Sequence, residues 1–129
     1  MIKVCKQNIF VEVIMVGHLD LLQAKELTSP EVKHASIKVL VSPKEGWEGH
    51  VLRVLEVLEN GYTPKHQHPW YHVNYVIQGE GELMIDGKVE RVTAGSYAYI
   101  PGNTLHQFKN VGKGVFKFIC IVPEEGHKI

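Results

Sequence analysis

The chain has 129 residues, with 14 Lys and Arg balanced by 14 Asp and Glu. A single domain with a continuous apolar core is expected at this length. The balanced charge offers no field that would attract a nucleic-acid backbone or an anionic membrane surface, so we expect neither partner.

The first apolar run, Ile9–Val16, is interrupted by Glu12 and is followed by no small-residue cleavage site. It is too short to span a bilayer and does not have the pattern of a signal peptide. Cys5 and Cys120 lie far apart with no Cys-x-x-Cys spacing, which favours reduced thiols over a disulfide framework. These features predict a cytoplasmic protein.

Most of the chain is predicted to be β-structure. Ile9–Val16 is a candidate edge strand, and the apolar spacing of Leu19–Leu27 is compatible with a short helix. Short β-branched or aromatic runs bounded by turn residues then predict eight strands: 37–41, 51–58, 73–77, 82–85, 89–92, 96–100, 106–109 and 115–122. Asp86-Gly87 is typical of a type I′ hairpin turn. The fold class is therefore all-β, a barrel or a sandwich.

Half of the eight histidines are concentrated in one candidate site. His66 and His68 are separated by one residue, so on a strand both imidazoles point to the same face. His72 has the same parity, and a bend at Pro69-Trp70 would return it to that face. His106 lies on a later strand. His18, His34, His50 and His127 have no such neighbours and are interpreted as surface or hydrogen-bonded residues.

These residues resemble the two motifs of the cupin superfamily. The first motif is Gly, five residues, His-x-His, three or four residues, Glu, six residues and Gly, and it corresponds here to Gly61–Gly79. The second is Gly, five residues, Pro-x-Gly, two residues, His, three residues and Asn, and it corresponds to Gly95–Asn110. Two motifs in order over about fifty residues make a specific match.

The resemblance implies a double-stranded β-helix, or jelly-roll barrel. We expect an N-terminal extension over residues 1–34, the barrel over 35–123 and a C-terminal tail over 124–129. Proteins that the chain resembles are commonly homodimers in which the N-terminal strand joins the neighbouring sheet. The candidate strand Ile9–Val16 is consistent with a homodimer.

The chain departs from the motifs at three positions. One residue is missing between Gly61 and His66, and Asn103 replaces a glycine. Asn tolerates the left-handed conformation, so that turn is expected to survive. His72 stands where the motif has Glu, so the chain resembles single-domain cupins with four histidine ligands. The predicted metal ligands are His66, His68, His72 and His106.

Four neutral imidazoles do not by themselves select the metal. Imidazole suits zinc, copper, iron and nickel, and manganese occurs in proteins that the chain resembles. A closed tetrahedral zinc site would be structural, whereas an octahedral ion would keep two positions open. No motif carboxylate is available to take a substrate proton, so the catalytic residues are not identified.

Four further residues are candidates for the pocket wall. Trp70 lies between two predicted ligands, and the alternation of the last strand turns Phe118 and Cys120 inward. Cys120 is interpreted as a small buried hydrophobe. Arg53 and Glu56 have opposite parity, so an inward Arg53 would bind an anionic substrate while Glu56 stays a solvated charge; a surface Arg53 is the alternative.

Two functions of different class remain open. The first is a small metalloenzyme, dioxygenase-like or isomerase-like, that acts on a small substrate with adjacent oxygens. The second is a non-catalytic cupin that binds a metal or a small molecule. Fold resemblance does not separate them, because function depends on the site.

Overall fold

The computed structural model describes the backbone of residues 2–4 and 11–13 and all atoms of residues 14–127. Within these ranges the chain forms eleven strands and three 3₁₀ helices of three residues each: β1 Ile2–Val4, β2 Val11–Val13, β3 Lys25–Glu26, β4 Lys33–Val41, β5 His50–Tyr62, β6 His72–Gln78, β7 Glu80–Ile85, β8 Lys88–Thr93, β9 Tyr97–Ile100, β10 His106–Asn110 and β11 Phe116–Pro123, with 3₁₀ helices at Leu19–Leu21, Pro43–Glu45 and Glu124–Gly126. All eight strands predicted after residue 36 are confirmed, with shifted ends.

The described strands other than β1 and β2 form one antiparallel sheet that curls into a nearly closed barrel. Its strand order is β8-β7-β10-β5-β11-β6-β9, and β3 and β4 extend it beside β5. Alternate residues of β5 and β11 face inward, among them Val51, Val57, Phe116 and Val122. The all-β prediction is therefore confirmed.

Three phenylalanines pack together in the barrel core. The Phe108 and Phe118 rings stack with centroids 4.2 Å apart, and Phe116 lies 5.3 Å from Phe118. Phe116 is fully buried. Gly81 lies against it so closely that a Cβ there would be 2.6 Å from Cε2 of the Phe116 ring. We call Phe108, Phe116 and Phe118 the phenylalanine cluster.

Two turns follow the sequence prediction. Asp86 and Gly87 have φ of 50° and 84°, as a type I′ turn requires, and they join β7 to β8. Asn103 adopts φ of 60°, so it accepts the left-handed conformation of the glycine it replaces.

Asn110, the last residue of the second motif, joins three segments of backbone. Its side-chain amide group donates to the carbonyls of Val57 and Gly114, and its side-chain oxygen accepts from the backbone amide of Gly112.

The predicted helix at Leu19–Leu27 is wrong. Only a 3₁₀ turn forms at Leu19–Leu21, and none of its residues is buried. Leu19, Leu22 and Leu27, whose spacing suggested the helix, are partly buried without a helix between them. Residues 25–26 instead pair with β4 as strand β3. In the candidate strand Ile9–Val16, only Val11–Val13 is a strand and it pairs with β1, while residues 9 and 10 lie outside the described residues.

The outer face of β5 also differs from expectation. Glu56 is not a solvated charge, because its side chain is 18% exposed and lies 3.4 Å from Lys38 and 3.9 Å from Lys117. The three strands β4, β5 and β11 bring these groups side by side.

No helix in the described part of the chain is long and apolar enough to cross a membrane.

Candidate metal centre

Four histidines lie close together at one end of the barrel. His66 follows β5 and forms an isolated bridge with His106, in which each backbone amide donates to the other residue's carbonyl at 3.1 and 3.0 Å. His72 begins β6 and His106 begins β10. The amide of Asn103, in its left-handed turn, donates to the carbonyl of His68 at 2.6 Å. Backbone contacts thus fix the relative position of three histidines.

The imidazoles converge to different degrees. Ligand atoms of His66, His68 and His106 all lie within 4.8 Å of one another, and the described residues contain no other such group of potential metal ligands. His72 stands beside this group, because its Nε2 lies 3.0 Å from Nε2 of His106. Since metal–nitrogen bonds are about 2.0–2.1 Å long, two nitrogens on one ion lie at most about 4.2 Å apart, so the 3.0 Å separation of His72 and His106 fits a shared ion.

Hydrogen bonds to backbone carbonyls select one tautomer for the rings of His68 and His106. Nδ1 of His68 lies 2.8 Å from the Trp70 carbonyl, and Nδ1 of His106 lies 2.8 Å from the Thr104 carbonyl. A carbonyl only accepts, so each Nδ1 carries the proton. Each Nε2 therefore presents a lone pair to the centre.

His72 is held by a longer chain of hydrogen bonds. The Asn74 amide group donates to the carbonyl of Ile119 at 3.2 Å, which turns its oxygen toward His72. That oxygen lies 2.7 Å from Nδ1 of His72 and accepts a hydrogen bond from its N–H. The lone pairs of His72 and His106 therefore face each other across 3.0 Å, an arrangement that a bound cation would stabilise.

Burial keeps the four rings neutral. It lowers the pKa of His72 and of His106 from 6.5 to about 4, because the charged imidazolium loses solvation inside the barrel. Burial also lowers the pKa of His66 and of His68, and neighbouring histidines lower them further. Neutral imidazole is the form that binds a metal, so at pH 7 the set is ready to act as ligands.

The histidines open into a cavity of about 520 Å³. Its wall includes all four residues predicted for the pocket, namely Arg53, Trp70, Phe118 and Cys120. Phe108 and Phe118 form part of its apolar wall, so two members of the phenylalanine cluster border the cavity while Phe116 does not line it. The exposed residues Lys25 and Glu26 contribute from β3.

Trp70 supports a predicted ligand directly. Its ring stacks on His68 with a centroid distance of 4.5 Å and an angle of 8° between the planes. Gly126, in the C-terminal 3₁₀ turn, also lies against the indole, where a Cβ would be 2.6 Å from Cδ1 of Trp70. The indole therefore contacts both the imidazole and the C-terminal turn.

Several contributors to the site were not predicted from sequence. Asn74 has the same parity as His72 and follows it by two positions, which is a signal that could have identified it. The carbonyl of Thr104 carries no sequence signal. His127 was interpreted as a surface or hydrogen-bonded residue, and its Nδ1 lies 3.5 Å from Nη1 of Arg53. His50 contacts the hydroxyl of Tyr71 at 3.0 Å, outside the four-histidine group.

Comparison with known proteins places the chain in a family. Residues 53–122, more than half of the chain, match the family model described as Cupin domain. No curated protein sequence matches significantly.

Solved structures agree with the family match. The polyketide cyclase RemF from Streptomyces resistomycificus is 28% identical, with 87% of this chain and 80% of that chain covered and a TM-score of 0.81. A cupin-2 domain from Rhodospirillum rubrum is 25% identical, with coverage of 90% and 78% and a TM-score of 0.75. A predicted oxalate decarboxylase from Thermotoga maritima, 17% identical, shares the fold, with coverage of 84% and 98% and a TM-score of 0.76. The chain belongs to the cupin family.

Proposed function

We propose that this cupin binds one divalent transition metal through His66, His68, His72 and His106. The observation that carries the proposal is the convergence of ring nitrogens: ligand atoms of His66, His68 and His106 lie within 4.8 Å of one another, and Nε2 of His72 lies 3.0 Å from Nε2 of His106. Ring nitrogens that donate to carbonyls or amide oxygens on their far side are typical of metal ligands. Manganese, iron, zinc, copper and nickel all suit an imidazole site.

We further propose that the protein is a small metalloenzyme whose substrate chelates the ion through adjacent oxygens. A bound metal would act as a Lewis acid or support oxidation chemistry. The chain's own residues would bind and enclose the substrate in the 520 Å³ cavity, with Trp70 and Phe118 as walls. The relative that is named a polyketide cyclase is an enzyme, which supports a catalytic role.

A non-catalytic binding module is the second candidate. One observation favours it. Among the described residues, the group close enough together to bind a metal consists of histidines, and it contains no carboxylate that could accept a proton from a substrate. Glu26 lines the cavity but is an exposed residue outside this group. Turnover of dioxygenase or isomerase substrates by metal-loaded protein would favour the enzyme, whereas ligand binding without turnover would favour the module.

The test is elemental analysis of protein purified without added metal or a histidine tag. We expect close to one metal ion per chain in the wild type and a loss of most of it in His106→Ala. The matched control is His50→Ala, which removes a histidine outside the group and should retain the metal. Absence of metal from the wild type, or its retention in His106→Ala, would contradict the proposal.

We also propose a homodimer. Val73 and Tyr75 on β6 face Tyr99 and Tyr97 on the neighbouring strand β9, and all four side chains are exposed. Such an apolar face at a sheet edge favours contact with another chain. Light scattering should give twice the 14.6 kDa mass of one chain, and a monomer at working concentration would contradict this proposal.

A further inference from the structure

Arg53 places a guanidinium inside the barrel. It lies on β5 in register with Cys120 on β11, and both residues line the cavity. Its Nη2 donates to the Cys120 sulfur at 3.2 Å, and its Nη1 lies 3.5 Å from Nδ1 of His127. Its Nε is buried and has no hydrogen-bond partner. Thiol sulfur is a weak acceptor, so much of the donor capacity of this guanidinium is unused.

No carboxylate balances this charge in the described part of the chain. Arg91, the other arginine of the sequence, is exposed and forms an ion pair with Glu80. The ion pairs among the described residues do not include Arg53. A partly buried cation without a counter-ion is costly, and such groups are ordinarily paired. An anionic ligand would supply the missing partner.

Arg53 shares a cavity with the candidate metal centre. Its side chain and the four histidines all line that cavity. Because the imidazoles are neutral, a bound divalent ion would add to the positive charge of Arg53 without compensation from the protein.

We infer that Arg53 is an anion-binding residue and that the substrate of this cavity carries a carboxylate in addition to its metal-chelating oxygens. The inference rests on the proposed metal site and adds the substrate class. A guanidinium presents parallel N–H donors that match the two oxygens of a carboxylate. The other charged residues of the cavity wall, Lys25 and Glu26, have opposite charges. The wall therefore has one excess positive charge, that of Arg53, which one carboxylate would neutralise.

The test uses two pairs of hydroxy acids that differ only in a terminal methyl or carboxylate. Malate is compared with 2-hydroxybutyrate, and 2-hydroxyglutarate with 2-hydroxyvalerate, so that two lengths are sampled. Isothermal titration calorimetry gives the Kd ratio within each pair for metal-loaded protein. We expect the diacid of at least one pair to bind about tenfold or more tightly, because a charge-assisted hydrogen bond is being added.

Arg53→Gln should reduce that ratio to about one, chiefly by weakening the binding of the diacid. The matched control is Arg91→Gln, because Arg91 is the other arginine of the sequence, is exposed and does not line the cavity; it should preserve the ratio. Arg53→Lys keeps the charge without the paired donors and should give an intermediate ratio, which serves if Arg53→Gln fails to fold. A ratio near one in both pairs for the wild type, its survival in Arg53→Gln, or its equal loss in Arg91→Gln would overturn the inference.

Metal content measured on the same samples separates this inference from the proposed function. A chain without metal would contradict the metal site, while the ratio measured on metal-free protein would still test Arg53. A metal-loaded chain that binds neither acid of either pair would overturn the anion-binding role and leave the metal site intact.

Discussion

The two ends of the barrel have opposite compositions. At one end, His72 and His106 begin their strands, and at the other, Gly81 packs on the fully buried Phe116. The phenylalanine cluster is held by apolar contact between rings. The histidine end is held by hydrogen bonds from ring nitrogens to oxygens of Trp70 and Thr104.

This difference indicates how one small barrel separates stability from chemistry. Burying apolar rings at one end supplies free energy of folding without any directional requirement. At the other end Nδ1 of His68, His72 and His106 each has an acceptor, so these polar groups are tolerated there while their Nε2 atoms remain available. Changes at the two ends should therefore have different consequences.

The largest effect on stability is expected from Phe116→Ala. Removing a fully buried ring should lower the free energy of unfolding by about 3–5 kcal/mol, as measured by denaturant unfolding. Metal content should be unchanged, because Phe116 does not line the cavity. Phe116→Leu is the conservative control and should lose less. Loss of metal by a folded Phe116→Ala would show that the two ends are not separate.

A smaller loss is expected from Gly81→Ala. The new Cβ would lie 2.6 Å from Cε2 of Phe116, and neighbouring rings prevent that side chain from moving away. Overpacking of this kind costs about 1–3 kcal/mol. Gly17→Ala, where nothing lies within 4 Å of the new atom, is the matched control and should be close to neutral. Equal midpoints for the two variants in thermal unfolding would contradict the prediction.

The histidine end should be sensitive to pH. Because the pKa of His72 and of His106 is about 4 in the folded protein and the ordinary value is 6.5, the unfolded state binds more protons between these limits. The free energy of unfolding of metal-free protein should therefore fall as the pH falls from about 6.5 to about 4. His72→Ala should make this slope shallower, and Phe116→Ala should shift the curve without changing its slope. Urea unfolding across this range measures both effects.

The strands were predictable because their signals are local. Alternation of β-branched residues and turn residues such as Asp86-Gly87 specify β7 and β8 without reference to the rest of the chain. Leu19–Leu27 was not predictable in this way, since its apolar spacing matches a helix but residues 25–26 pair with the edge of β4. A tertiary contact there overrides the local preference.

The site could be predicted in part for a related reason. Parity places His66 and His68 together and permits Arg53 to face inward, but it does not decide between Arg53 and Glu56 on one strand. The neighbouring strands determine which of the two faces outward, because Lys38 and Lys117 lie beside Glu56 on the outer face. The position of His127 beside Arg53 depends on the path of the C-terminal turn, which no spacing in the sequence encodes.

Asn110 shows that some residues of a family motif maintain the fold, whereas others form the site. It completes the second motif, yet its amide joins Val57 and Gly114 and its oxygen accepts from Gly112, all at the end of β10 away from His106. Its role is to shape the turn between two strands. This asparagine therefore marks the architecture whatever reaction the barrel performs, and an activity shared between relatives should depend on the residues that line the cavity.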